Sequence, residues 1–262
     1  MTVNDLKLNG RTAMVCGSTQ GIGFAAAHDL AQMGARVVCV ARNEERLKEA
    51  IAALPGSGHS YLVADFAHPD QLAAALKTFT EGGGEAHILV NNTGGPPAGT
   101  AIDAEVDAFR IAFNQHLVCN HVLVQHLVPG MKRANYGRII NVISTSVKQP
   151  LPNLGVSNTI RGAVANWSKT LARELGHFGI TVNNVLPGAT DTARLNAIIE
   201  RKSNQTGHSN DAVRNEMASE VPLGRIGKPE EIGHAIAFLA SPAAAYISGI
   251  NLPVDGGRTA CL

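Results

Sequence analysis

The chain has few of the residues that mark disulfide scaffolds, metal centres or binders of polyanions. It carries only 4 cysteines in 262 residues. Cys16, Cys39, Cys119 and Cys261 form no Cys-x-x-Cys pair, which points to reduced thiols and away from a structural zinc site. His116, His121 and His126 are spaced by five, a step that turns each about 140° from the last on an α-helix. They share no ligand face, and no metal is expected. Charged residues make up 16% and the net charge is +1, so no broad electrostatic attraction to nucleic acid or an anionic membrane follows. Met1–Lys7 lacks the apolar core of a secretory leader, and no apolar run reaches bilayer-spanning length. The sequence therefore predicts a soluble, cytoplasmic protein with neither nucleic acid nor membrane as a partner.

Hydrophobic residues, at 45%, suffice for one large core, and no Pro/Gly/Ser-rich linker, repeat or low-complexity stretch divides the chain. One domain over residues 1–262 is expected. Apolar, β-rich runs alternate with amphipathic segments, the rhythm of parallel strands joined by helical crossovers. Strands are predicted at Thr12–Cys16, Arg36–Val40, Tyr61–Ala64, His87–Asn91, Arg138–Ile143, Thr181–Leu186 and Asn251–Val254. Helices are predicted at Gly21–Met33, Glu44–Ala53, Pro69–Thr80, Asp103–Pro129, Ser157–His177 and Pro229–Ala240. This is an α/β fold with a doubly wound parallel sheet of about seven strands and helices on both faces. Residues 192–222 are polar and weakly periodic, as in an insertion over a site, with an ordinary solvent-facing pair of helices as the alternative; as a cover, both a rigid form and a mobile gate fit.

Gly17-Ser18-Thr19-Gln20-Gly21-Ile22-Gly23 follows an apolar strand and precedes an alanine-rich helix. In that setting glycines allow close backbone approach, and the helix N-terminus offers free N–H groups to a diphosphate. Further along stand Arg161-Gly162-Ala163-Val164, Lys169-Thr170-Leu171-Ala172-Arg173-Glu174 and Thr181-Val182-Asn183-Asn184-Val185-Leu186-Pro187-Gly188. Together these segments resemble the short-chain dehydrogenase/reductase family over nearly the whole chain.

The resemblance implies a Rossmann-like domain that binds a nicotinamide dinucleotide at Gly17, Ser18, Thr19, Gln20, Gly21, Ile22 and Gly23. It places Asn92, Thr93 and Gly94 along the adenosine ribose and the cleft floor, and Asp65 and Phe66 near adenine. Pro187, Gly188, Thr190 and Thr192 would hold the nicotinamide end and the phosphates. Arg42, in Val40-Ala41-Arg42-Asn43, stands where an enzyme selecting NAD usually carries an acid. A guanidinium there attracts a 2′-phosphate, so NADP(H) is expected in preference to NAD(H).

The family's Tyr-x-x-x-Lys pair falls on Ser157 and Arg161, thirteen residues after Ser144, the family's usual serine-to-tyrosine spacing. The resemblance assigns Ser144 to the substrate oxygen, Asn114 to an irregular helix that holds a water, and Arg161 to the ribose. A serine hydroxyl has no accessible anionic state comparable with that of a phenol, whose pKa starts at about 10. Ser157 is also several ångströms too short to replace the phenol directly. Lys148 is the nearest substitute proton source in sequence; solvent exposure or contact with an anionic substrate group are its other readings.

The expected activity is an NADP(H)-dependent oxidoreductase acting on a small-molecule carbonyl or alcohol, similar to 3-oxoacyl-carrier-protein reductases, with an altered proton route. A nucleotide-binding regulator without turnover and a non-redox enzyme on the same fold stay open as alternatives. The helix bearing Trp167 and the C-terminal strand resemble surfaces that build family tetramers, so a homo-oligomer is expected.

Overall fold

Short β-branched runs with no polar alternation are the pattern of strands covered on both faces, and seven of them pair in parallel in the order β3-β2-β1-β4-β5-β6-β7. The computed structural model describes residues 6–261. Met1–Asp5, from the stretch Met1–Lys7, and Leu262 lie outside the described residues. The strands are β1 (Thr12–Cys16), β2 (Arg36–Ala41), β3 (Ser60–Val63), β4 (Ile88–Asn91), β5 (Gly137–Val142), β6 (Ile180–Pro187) and β7 (Asn251–Val254). The helices are α1 (Gly21–Gln32), α2 (Glu44–Ala52), α3 (Pro69–Glu81), α4 (Val106–Phe113), α5 (Cys119–Arg133), α6 (Gly155–Leu175), α7 (Ala193–Thr206), α8 (Asn210–Ser219) and α9 (Pro229–Ala240).

Alternation along each strand divides the core. Ala13 and Val15 of β1 join Val37 and Cys39 of β2 under α1, α2 and α9, whereas Met14 and Cys16 join Val38 and Val40 over α3, α5 and α6. Strand order reverses between β1 and β4, so the helices that follow these strands depart to opposite faces and leave a crevice at the strands' C-terminal ends. Ligands of open α/β sheets bind at such switch points.

Amide side chains cross one half of this sheet. Asn91, Asn141, Asn184 and Asn251 stand opposite one another in register on β4, β5, β6 and β7. Each Nδ2 donates to the next Oδ1, at 2.8, 3.0 and 2.8 Å. Asn141 Nδ2 also donates to Ser168 Oγ of α6, at 3.2 Å.

Two departures from the sequence reading matter. The single helix expected over Asp103–Pro129 is three pieces: α4, a π-helical turn at Asn114–Val118, and α5, which runs through Pro129. Pro129 removes the N–H that would bond Gln125, but both residues are exposed, where water can take the freed carbonyl. Residues 192–222 fold into α7 and α8. Thr192 and Ser209 accept from the backbone N–H groups of Leu195 and Ala212, and Leu195, Ile199 and Val213 form their own small core. No described helix is long and apolar enough to cross a membrane.

Candidate cofactor and active site

The β1–α1 turn is built for close backbone approach. Gly17 and Gly21 adopt φ values of +61° and +55°, a region that side chains disfavour. A Cβ on Gly23 would lie 2.1 Å from the Gly17 carbonyl oxygen and 2.7 Å from Asn92 Nδ2. Asn92 in turn donates to the Cys16 and Gly17 carbonyls at 3.2 and 3.4 Å, clamping β4 to the turn. Gln20 caps α1 without a side-chain hydrogen bond, and no acid stands in the helix's first turn. Free N–H groups and the positive end of the helix dipole are thus left for an anion. A dinucleotide diphosphate fits this donor set. Ser18 is buried beneath the turn, Thr19 and Ile22 are half-buried, and Gln20 is exposed.

Arg42, the residue after β2, is exposed and enters none of the described hydrogen bonds or ion pairs. A second guanidinium, that of Arg46, reaches Gln20 Oε1 at 3.4 Å. The nearby Glu44 carboxylate accepts from Tyr61 and pairs with Lys48, which hold it below the usual carboxylate range. After β3, Asp65 Oδ1 accepts from the Ala67 backbone N–H at 3.0 Å, and Phe66 packs on the core.

At the end of β6, the Gly188 N–H donates to the Val254 carbonyl at 3.0 Å, with Pro187 half-buried beside it. Thr190 is buried and donates to the Gly188 carbonyl at 3.1 Å. The Thr192 methyl lies 3.2 Å from where a Gly21 Cβ would be, so the two strand-end loops meet across the crevice. Gly94, after β4, is exposed and has room for a Cβ.

Ser144, at the end of β5, accepts from the Ser146 N–H at 3.1 Å, which leaves its own hydrogen free to donate. Lys148 is half-buried, and its ammonium enters no described ion pair. Ser157 is buried in the first turns of α6 and its hydroxyl makes none of the described hydrogen bonds. Arg161, one turn on, is buried too, and its Nη1 donates to the Val142 carbonyl at 2.9 Å. Removal from water, then the charge of Arg194, pulls its pKa down to about 10. One arm of the guanidinium expected on a ribose is therefore already committed to the end of β5.

The π-helical turn begins at Asn114, where the resemblance implies an irregular helix. Asn114 is exposed and its side chain makes none of the described hydrogen bonds. The π-helical turn instead buries His116, whose Nδ1 lies 2.6 Å from Thr93 Oγ1 and whose Nε2 is buried without a partner. Burial first, then the charges of Arg161 and Arg194, push this imidazole down to about 3. His116 thus stays neutral across the physiological range. Its signal was present in the sequence, because Ala112, His116, Asn120 and Val124 are buried at steps of four, the spacing of one helix face.

Arg194 was also missed, inside the polar 192–222 interval. From α7 it donates to the Gly95 carbonyl at 2.7 Å and the Pro96 carbonyl at 3.1 Å, tying that helix to the loop after β4. Beyond the tie lies a cavity of about 530 Å³ between residues 97–104, the start of α6 and α7, lined in part by Thr100, Asp103, Val156, Arg201 and Gln205. Among the described residues, no group of three or more His, Cys, Asp or Glu side chains is placed to hold a metal ion.

Comparison with known proteins gives a consistent picture. A family model described as enoyl-(acyl carrier protein) reductase matches residues 17–259. The 3-oxoacyl-[acyl-carrier-protein] reductase FabG of Vibrio cholerae is 35% identical, over 96% of this chain and 98% of its own. The NADPH-dependent reductase BacG of Bacillus subtilis is 29% identical, over 95% and 98%. The crystal structure of L-sorbose reductase from Gluconobacter frateurii, complexed with NADPH and L-sorbose, superposes with a TM-score of 0.92 at 32% identity, covering 98% of this chain and 100% of that one.

Proposed function

We propose that this chain, which belongs to the short-chain dehydrogenase/reductase family, is an NADP(H)-dependent oxidoreductase that interconverts a carbonyl and a hydroxyl group on a small organic substrate. The observation that carries the reading is the uncapped start of α1 behind Gly17, Gly21 and Gly23, at the point where strand order reverses. When bound there, the nicotinamide supplies or accepts the hydride. Arg42 and Arg46 flank the position expected for a ribose 2′-phosphate, while Glu44 is occupied by Lys48 and Tyr61. This favours NADP(H) over NAD(H). The NADPH named for BacG and for the sorbose reductase structure supports the same choice.

In this reading the family's tyrosine and lysine positions hold Ser157 and Arg161. Ser144 donates its free hydrogen to the substrate oxygen and fixes its position. Ser157 does not supply the proton, because an alkanol is far too weak an acid to exchange it at neutral pH. Neutral His116 holds Thr93 and the loop after β4. The proton reaches the substrate oxygen through water, with the Lys148 ammonium as its source. Residues 192–222 serve as the substrate cover, closed by Arg194 on Gly95 and Pro96. The functional unit is a homo-oligomer, with the tetramer as the expected form, assembled through the Trp167 helix and the C-terminal strand.

Calorimetry with NADPH and NADH tests the cofactor half: NADPH binds roughly tenfold or more tightly than NADH, and Arg42→Ala narrows the gap. Absence of binding by either would end the reading. Oxidation of NADPH across a panel of aldehydes, ketones and oxo-acids tests the chemical half. Lys148→Met is expected to lower turnover by about 10²-fold or more, the contribution of a positioned acid; unchanged turnover would remove Lys148 from the route. Tight NADPH binding without hydride transfer on any of these substrates would favour a nucleotide-binding regulator, a reading also compatible with the short Ser157 hydroxyl.

A further inference from the structure

Two guanidinium groups beside the crevice, those of Arg161 and Arg194, have no counterion among the described residues. Arg161 is 8% exposed, and a guanidinium buried without a counter-charge is held at a cost. Among the described residues it forms no ion pair, and neither does Arg194. Acids nearby are engaged elsewhere: Asp191 pairs with Arg214, and Asp103 accepts from Thr100 Oγ1. His116 contributes no charge, but its Nε2 is buried without a partner. All three residues attach to the ends of two neighbouring strands. His116 and Arg194 hold the loop after β4, through Thr93 and through Gly95 and Pro96, and Arg161 holds the end of β5.

Helix α7 carries a further guanidinium to the cavity, which Asp103 also lines. Arg194 and Arg201 are seven residues apart on α7, which puts them on one face of the helix, two turns apart. Arg201 lines the cavity with Gln205. A volume of about 530 Å³ lies within the range of small-molecule sites.

We propose that the substrate is an organic acid whose carboxylate is clamped between Arg161 and Arg194, with its carbon skeleton in the cavity bounded by α7 and the loop after β4. A planar carboxylate accepts two parallel bonds from a guanidinium, and Arg161 has donors left after its bond to Val142. The carboxylate must lie within a few carbons of the reacting carbonyl, because Ser144 and Arg161 approach from the end of the same strand. This assignment rests on the oxidoreductase reading of the site, but it concerns the anion and not the cofactor. The cofactor's own phosphates are the competing source of that anion.

Calorimetric titration of the full chain, with and without saturating NADPH, separates the sources. The probes are pyruvate and levulinate, each with its methyl ester. The acids should bind at least roughly tenfold more tightly than their esters, because a site built around unpaired charge rejects an analogue lacking the counter-charge. Arg194→Gln should lower acid affinity roughly tenfold or more, reduce the preference for acid over ester, and leave NADPH affinity within about threefold. Arg161→Lys, which keeps charge but loses the fork, should weaken acid binding as well, and circular dichroism verifies its fold. Equal binding of acids and esters, or no binding of either while NADPH binds, overturns the clamp and leaves the cofactor reading intact. Loss of NADPH affinity in Arg194→Gln with acid affinity unchanged assigns the anion to the cofactor and also overturns it. Acid-selective binding in a chain that binds no NADPH retains the clamp and removes the reductase.

Discussion

His116 is a base that the fold keeps unprotonated. Its pKa, near 6.5 in an unfolded chain, drops to about 3 in the folded one. Between these values the unfolded state takes up the proton that the folded state refuses, so the stabilising difference is complete above about pH 6.5 and is lost progressively as pH falls toward 3. Urea midpoints measured from pH 7 to pH 4.5 should therefore decline, and His116→Gln should flatten the decline; a parallel slope in the variant would place the acid sensitivity elsewhere. At Ser157 the expectation concerns rate. If the proton route bypasses this hydroxyl, Ser157→Ala changes turnover by less than about tenfold, against the 10²- to 10⁴-fold that loss of a positioned acid costs. A larger fall in NADPH oxidation would return Ser157 to the route. The spacing from Ser144 is legible in the sequence, and with it the expectation that Ser157 and Arg161 take the family's tyrosine and lysine positions. The tie from Arg161 to Val142 is not, because it depends on where β5 ends in space.

At the scale of elements, the turn between β1 and α1 was legible from its glycines, since only close backbone approach requires all of them. Gly23→Ala tests that requirement: its methyl group would meet the Gly17 carbonyl oxygen, which belongs to backbone and cannot swing aside. Calorimetry should find dinucleotide affinity reduced by more than about tenfold, with destabilisation of roughly 1–3 kcal/mol from overpacking; wild-type affinity would mean that the turn is looser than drawn. The resemblance implied an irregular helix at Asn114, but which side chain the π-helical turn buries was hidden, because one extra residue in a turn leaves no mark in composition. Helices α7 and α8 were hidden by their polarity, which reflects the small core they bury, Leu195, Ile199 and Val213. Truncation of that core by Val213→Ala should cost roughly 1–3 kcal/mol and, because this core is separate, appear as faster amide exchange in α7 and α8 with little change in α1 or α9. Uniform loss of protection would show that the cover and the main core open together.

For the molecule as a whole, seven apolar runs and their order of appearance were enough to anticipate a doubly wound sheet with its crevice at the strand ends. Periodicity does not report which residues stand opposite each other, so the four asparagines read separately as strand residues and not as a series. Asn141 is the critical member because it bonds Asn91, Asn184 and Ser168. Asn141→Leu should cost about 2–4 kcal/mol, since several buried polar groups lose their partner at once; chemical denaturation measures it, and a change below about 0.5 kcal/mol would show that the amides re-pair.

The amide series also acts as a check on assembly. All its rungs run in the same direction, so turning one amide over would set donor against donor on one side and acceptor against acceptor on the other. A one-residue slip of β5 or β7 would offer an aliphatic side chain where a carboxamide is needed. Misthreaded sheets are thus penalised at several strands together, and only the correct threading brings Ser168 to its bond. Through that hydroxyl the pitch and rotation of α6, and with them the aim of Ser157 and Arg161, are inherited from the alignment of four asparagines within the sheet.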